Sequence, residues 1–464
     1  MDENAHPTPP DRLGQLALAF SLLASLALLI VGGAAIMHFV FKQPVYGPLQ
    51  EAFVGGKELY REYMSGNLSM EFTEPDDSDN SEMNKKMQRY MANAKVTWDK
   101  EKSFDGYTLL AVRMRTAVYM LDMDGKVVHR WYMPFRKAFP NPEHVHSWVK
   151  VQMKITNFHL YPNGDMLIIY SALGDTPYGY GMAKIDKDSN LIWTYPQTAH
   201  HDLYVAPNNG EIYALIQYFQ RKPTPGLEKL YFPVLMDYIV KLSPEGKELW
   251  RISIGEAFVG TPYQSEYLIR KGWDYFHTNT ISRLEPEMAK YFPMFKEGQL
   301  LISIRNLNAL AVIDPDTKKV VWAARGNWKW QHAACFTKNG TIVMFDNKGL
   351  QRVGKKGSRV LELNPKTMET RQIYPTKGER FGTRIYGRLH MLPNGNIMIA
   401  EGEGLRALEI TSGGELVWSY AFAKKRSSVM KISAVMSATR YPKDYITFKP
   451  DKLQDKGDMK AAAK

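Results

Sequence analysis

The chain has a single cysteine, Cys335, among its 464 residues. An intramolecular disulfide is therefore excluded, and the usual redox mark of an exported protein cannot be read. An HExxH zinc motif is missing, and the one close pair of imidazoles is the adjacent His200 and His201. Neighbours on an extended strand point to opposite faces, so an extended segment would not bring both into one channel. Nucleic-acid modules are missing as well. Lys and Arg number 60 against 48 Asp and Glu, for a net charge of +12, yet the basic residues are interspersed with acidic ones. Such a surface suits small anions or anionic lipid, and nucleic acid is not an expected partner. The stretch KPDKLQDKGDMKAAAK (449–464) has little to bury and reads as a loose tail.

What is present begins with an uncharged run. No Asp, Glu, Lys or Arg interrupts residues 13–41, which contain LALAFSLLASLALLIVGGAAIM, long enough to cross a hydrocarbon core of about 30 Å. The preceding MDENAHPTPPDR (1–12) is acidic, and the run is too long for a cleaved signal peptide, so an uncleaved transmembrane anchor is expected. Arg12 and Lys42 nearly cancel in setting its orientation. Residues 42–103 read as a mostly helical neck, with EAFVGGKELYREYM and SEMNKKMQRYMANAKVTW on either side of the turn-rich EPDDSDNS.

From Phe104 to about 448 the texture changes to short β-rich runs separated by Asn-Gly, Asp-Gly and Pro turns. The runs repeat. YMLDMDGKVVHRW, AKIDKDSNLIWTY, IVKLSPEGKELW, AVIDPDTKKVVW and ALEITSGGELVW share an apolar pair, a turn and a strand ending in Trp, and LELNPKTMETRQIY is a weaker copy. FHLYPNGDMLII, HDLYVAPNNGEIYAL, QHAACFTKNGTIVMF and LHMLPNGNIMIA form a second element ahead of most of them. Trp131, Trp193, Trp250, Trp322, Ile373 and Trp418 mark six units spaced 45 to 72 residues apart. Units of that size, with about four short strands each, predict an all-β, six-bladed propeller. A second small β-domain, or a seventh blade formed after Trp418, is the architectural alternative.

The repeat also places a histidine at or near one point in five units: His159, His201, His277, His332 and His390. The innermost strand of each blade lines the channel, so side chains at one repeated position converge on a single cavity. A lone buried histidine is usually a hydrogen-bonded core residue. Several together suggest a metal centre, or transfer of an anionic group by a neutral imidazole with cations nearby. Asn279, Arg305, Arg384 and Arg388 are the polar residues nearest these positions, and each arginine has an ordinary alternative as an inter-blade ion pair.

From Gly106 to Tyr420 the chain resembles the bacterial arylsulfotransferases. The resemblance is carried by GYTLLAVRMRTAVYMLDMDGKVVHRW, AHHDLYVAPNNGEIYAL, WDYFHTNTI with SIRNLNALAVID, WKWQHAACFTKNGTIVMFDN and YGRLHMLPNGNIMIAEG. It implies a six-bladed propeller outside the cytoplasmic membrane that moves a sulfuryl group between phenols. His332 is implied as a nucleophile that becomes transiently sulfated, with His277, His201 and Arg305 as further catalytic residues. Asn279, His159, His390 and Arg388 are expected to bind substrate, and neither an adenylyl-sulfate cofactor nor a metal is implied. The partners expected are an anionic aryl sulfate, a phenol and, through the anchor, the membrane; a homo-oligomer and membrane-complex subunits stay open. The chain departs from better-known members in having an anchor and neck in place of an N-terminal β-sandwich, and no disulfide. The segment ISRLEPEMAKYFPMFKEGQLLI (281–302) is expected either to cover the channel mouth or to dock a partner. Cys335 is expected to be a buried, inert thiol. The competing function is a non-catalytic propeller acting as a binding or structural subunit of a membrane complex.

Overall fold

The computed structural model describes residues 72–73, 81–113, 115–145, 151–173, 177–230, 232–266, 272–347, 357–376, 379–422 and 434–450. The expected anchor (13–41) and most of the C-terminal tail lie outside them. No helix among the described residues is long and apolar enough to cross a membrane.

Among the described residues the strands form six sheets, antiparallel except that the short strand Phe72–Thr73 adds in parallel to the innermost strand of one of them at Val151 and Gln152, and the protein is an all-β, six-bladed propeller. Blade 2 consists of Val151–Leu160, Met166–Leu173, Met182–Ile185 and Leu191–Tyr195, and blade 3 of Ala199–Val205, Ile212–Gln220, Val234–Leu242 and Glu248–Ser253. Blade 4 is Thr278–Arg283, Leu300–Ile304, Ala309–Asp314 and Lys319–Arg325; blade 5 is His332–Phe336, Ile342–Asp346, Arg359–Leu363 and Thr370–Tyr374. Blade 6 is Arg388–Met391, Ile397–Ala400, Arg406–Ile410 and Leu416–Ala421.

Blade 1 joins the two ends of the domain. Its outer strands are Tyr107–Val112, Ala117–Leu121 and Val127–Tyr132, and its innermost strand is Val435–Tyr441, paired so that Ala438 faces Leu110. The segment after Trp418 therefore forms neither a seventh blade nor a separate domain. It closes the ring, because an innermost strand contributed by the far end of the chain ties the last blade to the first. Arg440 anchors the closure. Fully buried, it pairs with Glu409 of blade 6, donates to Thr108 Oγ1 at 2.8 Å, and lies over the Trp418 ring at 4.4 Å.

The repeated tryptophans sit on the fourth strand of their blades counted from the channel, and Trp131, Trp193 and Trp418 reach the next blade. Trp131 Nε1 donates to the Gly164 carbonyl of blade 2 at 2.9 Å, and Trp418 Nε1 to the Met123 carbonyl of blade 1 at 3.0 Å. Gly246, at φ +85°, turns directly beneath Trp193; a Cβ there would stand 2.8 Å from the indole. Such contacts bury the faces that a single four-stranded sheet would leave exposed.

Among its described residues the expected neck contributes one helix, Glu82–Ala92, and two strands, Phe72–Thr73 and Lys95–Trp98. Ser81 caps the helix by accepting from the Asn84 N–H at 3.0 Å, and Met87 and Met91 are buried against Tyr420 and its neighbours. Lys95–Trp98 then pairs with Leu416–Ala421 as a fifth, outermost strand of blade 6, where the sequence pattern had suggested helix. Packing overrides the helical pattern here, because an exposed sheet edge is available for pairing.

Candidate active site

Five of the six innermost strands carry a register shift near their start, at Ile155/Asn157, His200/Leu203, Thr278/Thr280, His332/Cys335 and Val435/Ser437. At each bulge an extra residue re-aims its neighbours. His201 (φ +54°), His277 (φ +52°) and Ala333 (φ +51°) adopt left-handed backbone there, a conformation that costs non-glycine residues on the order of 1 kcal/mol or more. The segment is therefore not extended at His201, and the opposite-face rule for strand neighbours does not apply to His200 and His201. Because His201 leaves the extended region, the two rings meet at right angles, with their Nδ1 atoms 2.7 Å apart.

His201 and His277 stand with ring centres 4.9 Å apart. Asp274 Oδ2 lies 2.6 Å from His277 Nδ1 and also accepts from Asn306 Nδ2 at 3.0 Å. Burial works to raise the Asp274 carboxyl, but His277 and these hydrogen bonds hold it below its ordinary range. It is therefore a carboxylate acceptor, and His277 carries its proton on Nδ1.

His332 opens the innermost strand of blade 5. Its Nδ1 lies 2.8 Å from Asn347 Oδ1, while Asn347 Nδ2 donates to the carbonyls of Thr383 at 3.0 Å and Tyr386 at 2.7 Å. With the amide nitrogen committed twice, the oxygen must accept. His332 thus donates through Nδ1, and its Nε2 keeps the lone pair. Burial first, then the nearby Arg305 charge, pushes the imidazole down to about 3, so the ring is neutral at physiological pH. Arg305 lies over the Trp330 ring at 5.4 Å and donates to Asn306 Oδ1 at 2.9 Å. His201 is likewise held well below its usual value by burial and by His277, His200, His332 and Arg388. Mutual influence of this kind marks His201, His277, His332, Arg305 and Arg388 as one cluster.

The other candidates are placed differently. Asn279 Nδ2 donates to the Gln331 carbonyl at 2.8 Å, and Thr280 Oγ1 accepts from the Ala333 N–H at 2.7 Å. These bonds hold the main chain on both sides of His332. Arg388 pairs with Asp202 at 2.7 Å and also donates to the His201 carbonyl, while Asp202 accepts from Asn157 Nδ2 at 2.7 Å and from the Ile281 N–H at 3.0 Å. Blades 2, 3, 4 and 6 are thereby tied together across the channel. Arg384 is exposed on Glu403 at 2.9 Å, outside the cluster.

His159 and His390 do not join it. Each lies two residues before the residue that closes its blade's first hairpin, Tyr161 or Leu392, whereas His201 and His332 lie five before theirs, Ala206 and Thr337. Three residues of strand separate the two levels by about 10 Å. Burial, with His390 and Lys184 adding to it, lowers His159 to about 3, and burial alone lowers His390 to about 4. The segment 281–302 is displaced in the same direction. It enlarges the first hairpin of blade 4, and Phe292 and Phe295 pack against Trp322 and Phe336, away from the histidine end. Cys335 is half-buried rather than fully buried, and desolvation pushes its thiol up to about 12, which disfavours the reactive thiolate.

Several residues escaped the sequence reading. Asp274 stands three positions before His277, and Asp202 directly follows His201, so carboxylates beside the repeated histidines were the available signal. Asn347 and Asp237 come from second and third strands and have no such mark. Lys154, buried on blade 2, donates to the Ala172 carbonyl at 3.1 Å and is lowered to about 7 by burial and Arg113. Among the described residues no group of three or more metal-ligating side chains is placed to hold an ion. A hollow of about 550 Å³ lined by Asn141, Glu143, His144, Thr198 and Tyr218 contains none of the predicted site residues.

The arylsulfotransferase (ASST) family profile matches residues 159–423. The chain belongs to the arylsulfotransferase family. No curated protein matches the sequence. Among solved structures, a Bacteroides caccae protein of unknown function aligns at 13% identity over 72% of this chain and 98% of that one, with a TM-score of 0.46. A virginiamycin B lyase from Staphylococcus aureus aligns at 11% identity over 72% of this chain and 90% of that one, with a TM-score of 0.39. The match in this arylsulfotransferase-family chain spans blades 2 to 6 and includes His201, His277, Arg305 and His332.

Proposed function

We propose that the chain transfers a sulfuryl group from an aryl sulfate to a phenolic acceptor through a sulfated His332. One observation carries the reading: the Asn347 contact commits Nδ1 of a neutral, buried His332 as a donor and leaves Nε2 as a nucleophile beside the Arg305 charge.

In the first half-reaction His332 Nε2 forms a bond to sulfur as the sulfur–aryl oxygen bond breaks. The phenolate leaves and takes up a proton from solvent. In the second half the acceptor phenol gives its proton to Nε2 of His277, whose Nδ1–H is held on Asp274, and attacks sulfur; the N–S bond breaks to restore His332, and His277 returns the proton to solvent. Arg305 and His201 hold the non-bridging oxygens, where charge accumulates in a loose transition state. Asn279 acts through the main chain by fixing the strand that presents His332. No step calls for an adenylyl-sulfate cofactor.

The uncharged run 13–41 supports a further part of the proposal, that the propeller is held at the cytoplasmic membrane with its catalytic cluster on the periplasmic side. Reporter fusions at the C-terminus check this: a periplasm-dependent reporter should be active and a cytoplasm-dependent one silent.

The test of the chemistry is a mass-spectrometric search for sulfated histidine after mixing the protein with excess 4-nitrophenyl sulfate. An adduct at His332, abolished in His332→Asn with the fold intact, is expected. Absence of both adduct and phenol release would overturn the transferase reading and favour a binding subunit.

A further inference from the structure

His200 is buried, and its two ring nitrogens face two different groups. Nδ1 lies 2.7 Å from His201 Nδ1, and Nε2 lies 3.7 Å from Asp237 Oδ1 without a hydrogen bond of its own. Two ring nitrogens at 2.7 Å must share one proton, so one histidine donates and the other accepts. Which one donates fixes the outer nitrogen of His201, because a neutral imidazole carries a single N–H.

The decision lies with Asp237. Its Oδ2 accepts the Thr278 N–H at 2.6 Å, so a proton on the neutral carboxyl resides on Oδ1, the oxygen turned to His200. We propose that Asp237 and His200 are positioning residues that set the ring tautomer of His201. With the carboxyl neutral, no charge draws a proton to His200 Nε2, so His200 Nδ1–H donates to His201 Nδ1, and His201 holds its proton on Nε2 as a donor. With the carboxylate ionised, one proton has left to solvent, the negative charge 3.7 Å away draws the His200 proton to Nε2, and the shared proton sits on His201 Nδ1. His201 Nε2 is then a bare acceptor.

Asp237 is faced by His200 from the innermost strand of blade 3, by Gln217 from the adjoining strand, and by Asp274 and Thr278 from the segment entering blade 4, while His201 and His277 act on His200. Burial raises the Asp237 carboxyl to about 8 against the Thr278 hydrogen bond, and Asp274 adds to the rise. The neutral form therefore prevails at pH 7. The Ile216 carbonyl, which favours the protonated form of His200, is the competing acceptor for a proton on that ring.

Its catalytic consequence rests on the transferase reading; the tautomer itself does not. In the full chain with 15N-labelled histidine rings, the His201 Nε2 resonance, identified by its loss in His201→Gln, should bear a proton at pH 7 and lose it as pH rises through about 8. In Asp237→Asn the amide oxygen still accepts from Thr278 and the side chain stays uncharged at every pH, so Nε2 should stay protonated across that range. A bare Nε2 at pH 7, or the same loss in Asp237→Asn, overturns the proposal.

The kinetic counterpart is a fall in His332 sulfation above about pH 8 that disappears in Asp237→Asn. His200→Phe should lower kcat on the order of a hundredfold with little change in KM. If no aryl sulfate reacts at all, the transferase reading fails while the resonance still decides the tautomer.

Discussion

Asn347 Oδ1 stands 2.8 Å from Nδ1 of His332, and this contact determines which face of the imidazole can react. Asn347→Leu keeps the volume but removes the acceptor, freeing His332 to take either tautomer and leaving the Tyr386 carbonyl without its donor, while Ser358 Oγ still donates to the Thr383 carbonyl. Sulfation of His332, followed by single-turnover mass spectrometry, should slow on the order of a hundredfold. Denaturant melts should show a loss of about 1–3 kcal/mol for the orphaned groups. An unchanged rate would remove Asn347 from the site.

The buried imidazoles make the fold sensitive to acid. His159, His200, His201, His332 and His390 are all held below the ordinary histidine value, chiefly by burial. Between their folded values and the unfolded value near 6.5 the unfolded chain binds more protons, so stability is lost as pH falls from about 6.5 towards 4. Each such histidine adds a slope of up to about 1.4 kcal/mol per pH unit. Melting temperatures measured from pH 7 to 4.5 should fall steeply, and less steeply in His390→Phe.

Arg388 and Asp202 form an ion pair in the middle of the channel. Asp202→Ala leaves the guanidinium, the Asn157 amide and the Ile281 N–H without their acceptor and should cost about 3–5 kcal/mol. In a double-mutant cycle, Asp202→Ala with Arg388→Met should cost less than the sum of the singles. Additive losses would show that the pair is not coupled.

Ring closure depends on a second buried pair. Glu409→Ala removes the carboxylate from the fully buried Arg440 on the closing strand and should destabilise the propeller by about 3–5 kcal/mol. The affected strand, Val435–Tyr441, should be the first to lose amide protection in hydrogen exchange. Loss beginning elsewhere would contradict its role as the closing strand.

Much of the architecture was legible because a propeller repeats its local chemistry. The tryptophans occupy the same outer-strand position, and Trp131, Trp193 and Trp418 meet the next blade near its turn, so a periodic physical need left a periodic mark. Closure left no such mark, since Val435–Tyr441 is one strand of a unit whose other three lie more than 300 residues away in the chain. Likewise Lys95–Trp98 pairs with a distant edge that its own composition does not announce.

The sequence by itself determined the number of blades, the family, and the presence of His201, His277, Arg305 and His332 in ordered segments, because repeats and motifs are properties of residue order. Only the tertiary structure decided which histidines share a cavity. Position within an innermost strand, shifted by bulges and by left-handed residues such as His201 and His277, sets the level in the channel that a side chain reaches. That is why His159 and His390, alike in motif, lie at the other end. It is also why His332 owes its tautomer to Asn347, a residue from a neighbouring strand that only pairing brings within 2.8 Å.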